Sequence, residues 1–228
     1  MEALTRLKLP PKIKALVESI YTDPKFRVKT NEGASEWKQQ NNGIRQGCPL
    51  SPYLFLLVMH VLFWDIDMYT DGKLIPHTMD GTTFSRILYA DDTLIVADNP
   101  KKLSYLLGLI ETESEYYNMK LNYSKCEAIS MNTSKSFKFK NGQIVPKKES
   151  ATYLGAVFRS DAHIKHEIDK RITESKRTLS KLKIFWKESK CEIQWRYQVF
   201  RAVIESKLSY ALETIEPAES NIGKLDVF

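Results

Sequence analysis

Two adjacent carboxylates, Asp91 and Asp92, stand between two short apolar runs, residues 84–89 and 93–97. Paired carboxylates near a core are costly unless a cation compensates them. A turn presenting both at a sheet surface suits magnesium, which takes oxygen ligands and keeps waters and substrate phosphates. Two such ions about 3.5–4 Å apart activate an attacking hydroxyl and stabilise a leaving oxygen, as nucleotidyl transfer requires. The competing reading is a solvated hairpin tip, because aspartate favours turns. The apolar flanks count against it, since a tip between such strands lies close to a core.

The flanking runs, rich in Ile, Val and Tyr, read as two strands of one buried hairpin. Upstream, Gly43-Ile44-Arg45-Gln46-Gly47-Cys48-Pro49-Leu50-Ser51-Pro52 reads as a loop opening a helix. Ser51 is its expected N-cap and Pro52 its first helical residue. Residues 53–64 are apolar on nearly every side, which predicts a buried helix. The spacing also predicts a helix over 11–21, with Ile13, Leu16, Val17 and Ile20 on one face. A hairpin follows over 26–40, turning at Asn31-Glu32-Gly33. Beyond the aspartates come a helix over 101–117, a strand over 120–131, a hairpin around Asn141-Gly142 and a strand over 153–158. Two helices, 163–186 and 193–212, close the order. The pattern is α+β over residues 1–160, then a small helical region over 161–228, joined near 159–162.

The net charge of +6 is concentrated in one segment. Residues 163–207 carry twelve Lys/Arg against six Asp/Glu, and the rest of the chain balances at 22 against 22. A local basic surplus suits a polyanionic partner, or a solvated amphipathic helix pair. Cys48, Cys126 and Cys191 are odd in number and far apart, which offers neither a disulfide framework nor a zinc spacing. His163 and His166 could share a helix face but have no cysteine partners nearby. The longest apolar run, 53–64, is interrupted by His60 and falls short of the roughly 18 residues of a membrane span. No membrane partner is expected. Met1-Glu2-Ala3-Leu4-Thr5-Arg6 lacks a signal-peptide layout. The expectation is an intracellular protein, nucleus and cytoplasm being indistinguishable.

Five blocks together carry a family resemblance. Tyr89-Ala90-Asp91-Asp92 resembles the catalytic hairpin of reverse transcriptases, in the Ala form of non-LTR (LINE-like) retrotransposons and their bacterial and organellar relatives. The 43–55 loop and helix start resembles the family's preceding motif, and Asn118-Met119-Lys120-Leu121-Asn122-Tyr123-Ser124-Lys125-Cys126-Glu127 its next one. Tyr153-Leu154-Gly155 is similar to the hairpin that grips the primer, and Ser206-Lys207-Leu208-Ser209-Tyr210-Ala211-Leu212-Glu213-Thr214 to a thumb-helix segment. The resemblance reaches over nearly the whole chain.

It implies a polymerase palm, a mixed sheet with helices on one face, followed by a small helical thumb. It implies RNA-directed DNA polymerase activity on an RNA template, a DNA primer and a dNTP, with two Mg2+ ions or Mn2+ in their place. Asp91 would hold the metals with Asp92 assisting, and Tyr89 would pack near the primer terminus. Arg45, Gln46 and Gly47 would line the templating pair and the incoming nucleotide, with Gly47 permitting close approach. Lys125 would donate a proton to the leaving pyrophosphate, and Tyr153, Leu154 and Gly155 would grip the primer. Lys170, Arg171, Lys176, Arg177 and Lys181 would hold the hybrid duplex by its phosphates.

The sequence departs from the family in what it lacks. The resemblance implies a further catalytic aspartate on an earlier palm strand, an aromatic residue that excludes ribonucleotides, and a fingers region. None is found in these 228 residues. Asp65, Asp67, Asp80 and Asp98 lie on no apolar strand beside the hairpin and replace none of them. The expectation is a domain truncated at both ends, either part of a larger product or completed by a fingers and palm portion on another chain. The alternative is a catalytically incompetent retroelement remnant that at most binds nucleic acid.

Overall fold

The computed structural model describes residues 1–40, 43–45, 47–70, 77–79, 82–131, 133–212 and 219–226. Two compact units form, one from Met1–Lys125 with Lys135–Val145 and one from Cys126–Ser134 with Pro146–Phe228.

In the first unit, α1 (Glu2–Arg6) and α2 (Pro11–Tyr21) precede four short strands. Proline at the head of α2 forgoes an amide that has no intrahelical partner there, so the helix begins where the sequence places it. β1 (Lys25–Phe26) pairs with β4 (Lys38–Gln39), and β2 (Lys29–Thr30) with β3 (Gly33–Ala34), giving the expected hairpin. The long helix α3 (Ser51–Thr70) follows, then β5 (His77–Met79) paired with β6 (Thr82–Phe84). β7 (Arg86–Tyr89) pairs antiparallel with β8 (Asp92–Ile95), and α4 (Pro100–Tyr116) starts on an Asn99 cap whose Oδ1 accepts the Lys102 amide at 2.9 Å. The core lies where α3 meets α4: Leu62, Phe63, Ile66, Leu106 and Ile110, with Ile95 of β8 packed against them.

The expectation of a mixed sheet is corrected. Among the described residues the strands pair only two by two, in five separate antiparallel ribbons. Alternation specifies a half-buried strand and not its neighbours. The expected strand over 120–131 does not form beyond an isolated parallel bridge from Ala128 to Lys147. Asn122 instead closes a local turn, accepting the Lys125 amide on its carbonyl at 3.0 Å and the Ser124 hydroxyl on its side chain at 2.7 Å. The turn takes the Lys125 amide out of any ladder. The Asn141-Gly142 hairpin does form, through Phe139 to Gln143 and Val145 to Phe137 amide–carbonyl bonds.

Helix α3 differs from its expected form in three ways. It is buried on one side only: Val61, Leu62, Phe63 and Ile66 face the core, while Tyr53, Leu56, Trp64, Met68 and Tyr69 are exposed. Ser51 is its first residue and not its cap, its Oγ accepting the Arg45 amide at 3.1 Å and meeting the Tyr21 hydroxyl at 2.9 Å. At 20 residues it is also long and apolar enough by composition to cross a membrane, because the helix continues past residue 64. Its buried Asp65 and core contacts are those of a core helix.

Asp65 explains how α1 is held. Both carboxylate oxygens accept from the Arg6 guanidinium, and the Tyr117 hydroxyl donates to Asp65 at 2.9 Å while accepting from Arg6 at 2.7 Å. Burial, then the bond to Asp65, pushes the Tyr117 phenol up to about 12.

In the second unit β9 (Ser150–Tyr153) and β10 (Ala156–Arg159) form a hairpin packed with α5 (Lys165–Lys181). The hairpin groups in one compact unit with the helices that follow it. The expected final helices are each interrupted. The first divides into α5 and α6 (Lys183–Glu188), and the second into α7 (Ile193–Phe200), a π-helical turn (Arg201–Glu205) and α8 (Ser206–Ser209). Helix α9 (Glu219–Asp226) ends the described chain, and Ile168 and Ile204 are fully buried between α5 and the π turn.

Asp65→Ala is expected to cost about 2–3 kcal/mol, less than a fully buried pair because the Arg6 side chain is 39% exposed, read as a shift in urea midpoint. The raised Tyr117 pKa means the fold favours the neutral phenol. Its contribution is full below about pH 10 and is lost as pH rises through about 12. Tyr117→Phe is therefore expected to flatten the fall in stability across that window, measured against wild type by denaturation at each pH.

Candidate active site

The carboxylates sit where the sequence placed them, at the end of a ribbon. Tyr89 and Asp92 face each other across β7 and β8, so Ala90 and Asp91 make a two-residue turn. Ala90 has φ +52, in the left-handed region, which costs a residue with a Cβ about 1–2 kcal/mol. Strain of this kind persists where the surrounding structure over-determines it, and it clusters at functional sites.

The expected burial of this hairpin is corrected. Only β8 is half-buried, through Thr93, Leu94 and Ile95; Ile87, Leu88, Tyr89, Asp91 and Asp92 are exposed. No third strand among the described residues covers β7. The ribbon is anchored at its base instead. Arg86 donates to both oxygens of Asp67 on α3, at 2.7 and 2.6 Å, and its guanidinium lies 4.7 Å from the Phe63 ring centre.

This anchoring sorts the acidic residues. Asp65 is held by Arg6, Asp67 by Arg86 and Asp98 by Lys102 at 2.9 Å, a bond that draws the Asp98 carboxyl below its ordinary range. The side chains of Asp91 and Asp92 take no hydrogen bond or ion pair among the described residues. They are solvent-facing oxygen donors in the number that magnesium takes from protein when phosphates and water complete its shell. No group of three or more His, Cys, Asp or Glu side chains among the described residues gathers at a potential metal site.

The other expected residues fall in three places. Gln46 lies outside the described residues, as does Asp80. Arg45 is half-buried with its guanidinium 5.9 Å from the Tyr21 ring centre. Gly47 has φ +80 with open space around its absent Cβ, so it answers a backbone need and not a close approach within the fold. Beside them the Cys48 thiol is drawn below its ordinary range by the Ser51 hydroxyl, by nearby amides and by Arg45. Lys125 is exposed at the end of the Asn122 turn, with no side-chain partner among the described residues.

Within the second unit, Leu154 and Gly155 form the two-residue turn of β9 and β10, with φ +49 and +82. Here the structure differs most from the expectation for the basic helix. Arg171, expected on phosphate, is buried: it pairs with buried Glu167 at 2.5 Å and donates to the Gly155 carbonyl at 2.7 Å. Glu167 in turn accepts the Val157 amide at 2.8 Å. Lys170 also donates to the Gly155 carbonyl, at 2.9 Å. Lys176, Arg177 and Lys181 are exposed and have no side-chain partner among the described residues, leaving their charges available. Sequence reasoning missed the pairing of Glu167 with Arg171, although i,i+4 spacing on a helix was a usable signal.

Arg171→Ala strands the buried Glu167 carboxylate and is expected to cost about 3–5 kcal/mol, measured by chemical denaturation. Lys176→Ala, on the solvent side, is expected to stay within about 0.5 kcal/mol of wild type.

Residues 1–158 match the family described as reverse transcriptase (RNA-dependent DNA polymerase). The chain is also similar to the Retrovirus-related Pol polyprotein from type-1 retrotransposable element R2 of Nasonia vitripennis, at 26% identity over 182 residues. That match covers 74% of this chain and 17% of the relative, so the chain spans a small part of that protein's length. With the aspartate turn, its flanking ribbon and most of the motif blocks inside the matched region, the chain belongs to the reverse transcriptase family.

Proposed function

We propose that this chain is the palm and thumb core of an RNA-directed DNA polymerase, joining a dNTP to a primer 3′-hydroxyl on an RNA template. The observation that carries the reading is the exposed pair Asp91 and Asp92 on a strained turn, without hydrogen-bond or ion-pair partners among the described residues, while Asp65, Asp67 and Asp98 are each occupied by a cation. The two carboxylates would hold divalent metal, Mg2+ or Mn2+. When bound, such ions activate an attacking hydroxyl and neutralise charge on the leaving oxygen.

The chain's own residues supply the rest. Tyr89, exposed one residue before the turn, offers a ring to the primer end. Arg45 and Gly47, with Gln46 between them in sequence, would meet the incoming nucleotide. Lys125, solvent-facing and without a side-chain partner among the described residues, can give a proton to the pyrophosphate. Tyr153, Leu154 and Gly155 would contact the primer strand, and Lys176, Arg177 and Lys181 the phosphates of the hybrid, by position and not by sequence. The site of action would be intracellular.

A second reading has its own observation: no third acidic group joins the aspartate pair among the described residues. On that reading the chain binds nucleic acid without catalysing, unless another polypeptide completes the site. Primer extension on an RNA template with magnesium separates the two. Extension by the chain, reduced at least ~100-fold in Asp91→Ala, is the expected result for the polymerase. No extension, with hybrid binding indifferent to Asp91→Ala, establishes the second reading. In either case reversing Lys176, Arg177 and Lys181 is expected to weaken hybrid binding and to lower the salt slope by about one for each phosphate no longer neutralised.

A further inference from the structure

The Leu154-Gly155 turn is held by groups remote from it in sequence. Tyr210, just past α8, donates its hydroxyl to the Leu154 carbonyl at 2.6 Å. Arg171 and Lys170 donate to the next carbonyl, that of Gly155. The Arg171 guanidinium lies 4.7 Å from the Tyr210 ring centre, and a Cβ at Gly155 would come within 3.3 Å of that ring. Turn, arginine and tyrosine therefore fit as one packed unit, and glycine is needed both for φ +82 and for the room. Leu154 meanwhile adopts φ +49, a conformation disfavoured for leucine, with the residue 36% exposed at the tip.

Three donors on two consecutive carbonyls exceed what a hairpin needs. Two-residue turns with both φ positive match the strand twist unaided. What the extra bonds do is fix the direction of the tip relative to α5 and the segment carrying Tyr210. We propose that Tyr210 and Arg171 are positioning residues for primer-end engagement, holding the strained Leu154-Gly155 turn so that the Leu154 tip is presented in one orientation. This rests on the reading that the turn meets the primer.

The test uses the full 228-residue chain carrying Tyr210→Phe, which keeps the ring and its arginine contact but removes the donor. Amide hydrogen exchange at the turn is measured together with affinity for an RNA–DNA hybrid with a recessed 3′ end and for a blunt one. The expected result is exchange about fivefold faster at the turn, the equivalent of one hydrogen bond, with recessed-end affinity lower by a similar factor and blunt-end affinity unchanged. Restoring tyrosine restores both. Unchanged exchange overturns the proposal, as does faster exchange with recessed-end affinity intact. Leu154→Ala, which trims the tip and leaves the donors, separates that failure from failure of the underlying reading. If it abolishes the recessed-end preference while Tyr210→Phe does not, only the positioning role falls. If neither variant changes it, or wild type has no such preference, the turn does not meet the primer.

Discussion

Like charges on neighbouring residues repel, and the turn at Ala90 and Asp91 holds two of them together where water reaches both. The scaffold of the first unit serves that placement. The ribbon is too short to stand alone, since an isolated two-stranded hairpin is marginal in water. It is fixed at one end by Arg86 on Asp67 and along one strand by Ile95 in the α3–α4 core. That core is closed in turn by Arg6 and Tyr117 on Asp65. Both ionic links use an acid on α3 to tie a cation to the helix, and the acids at the tip are left without a hydrogen-bond or ion-pair partner among the described residues.

The second unit solves a related problem by burying a charge pair. Glu167 and Arg171 are costly to desolvate, and the attraction between them repays this only if their remaining donors and acceptors are satisfied. They are satisfied by the hairpin backbone, through the Val157 amide and the Gly155 carbonyl. The pair thereby specifies where the hairpin sits on α5, something an apolar contact of the same size would leave less defined.

Much of this is legible in the sequence because it is local. Pro10-Pro11 with its apolar stripe marks helix α2, Asn141-Gly142 marks its turn, and the runs around Asp91 mark their ribbon. What is not legible depends on partners far along the chain. Alternation cannot say whether a third strand lies beside β7, and none does among the described residues. Residues 120–131 look like a strand by composition, yet a local turn takes the Lys125 amide onto the Asn122 carbonyl. An arginine in a basic helix looks like a phosphate ligand until a glutamate one turn earlier is seen to face it indoors. Hydropathy likewise marks α3 as apolar without saying which half of its circumference is covered.

The π-helical turn at Arg201–Glu205 carries a consequence for how the chain tolerates change. A π turn takes in one residue more than an α turn would over the same hydrogen-bonded step. In an α-helix each residue advances the face by about 100°, and the wider π turn takes up about one residue without that advance, so removing one residue here would restore an α turn and leave everything beyond it close to its original phase. Tyr210, beyond the turn and α8, would still face the Leu154 carbonyl. The segment holds one residue of slack. A single-residue deletion there is absorbed by loss of the π turn, whereas the same deletion inside the regular helix α5 would turn the residues beyond it by about 100° and put them out of step with the hairpin.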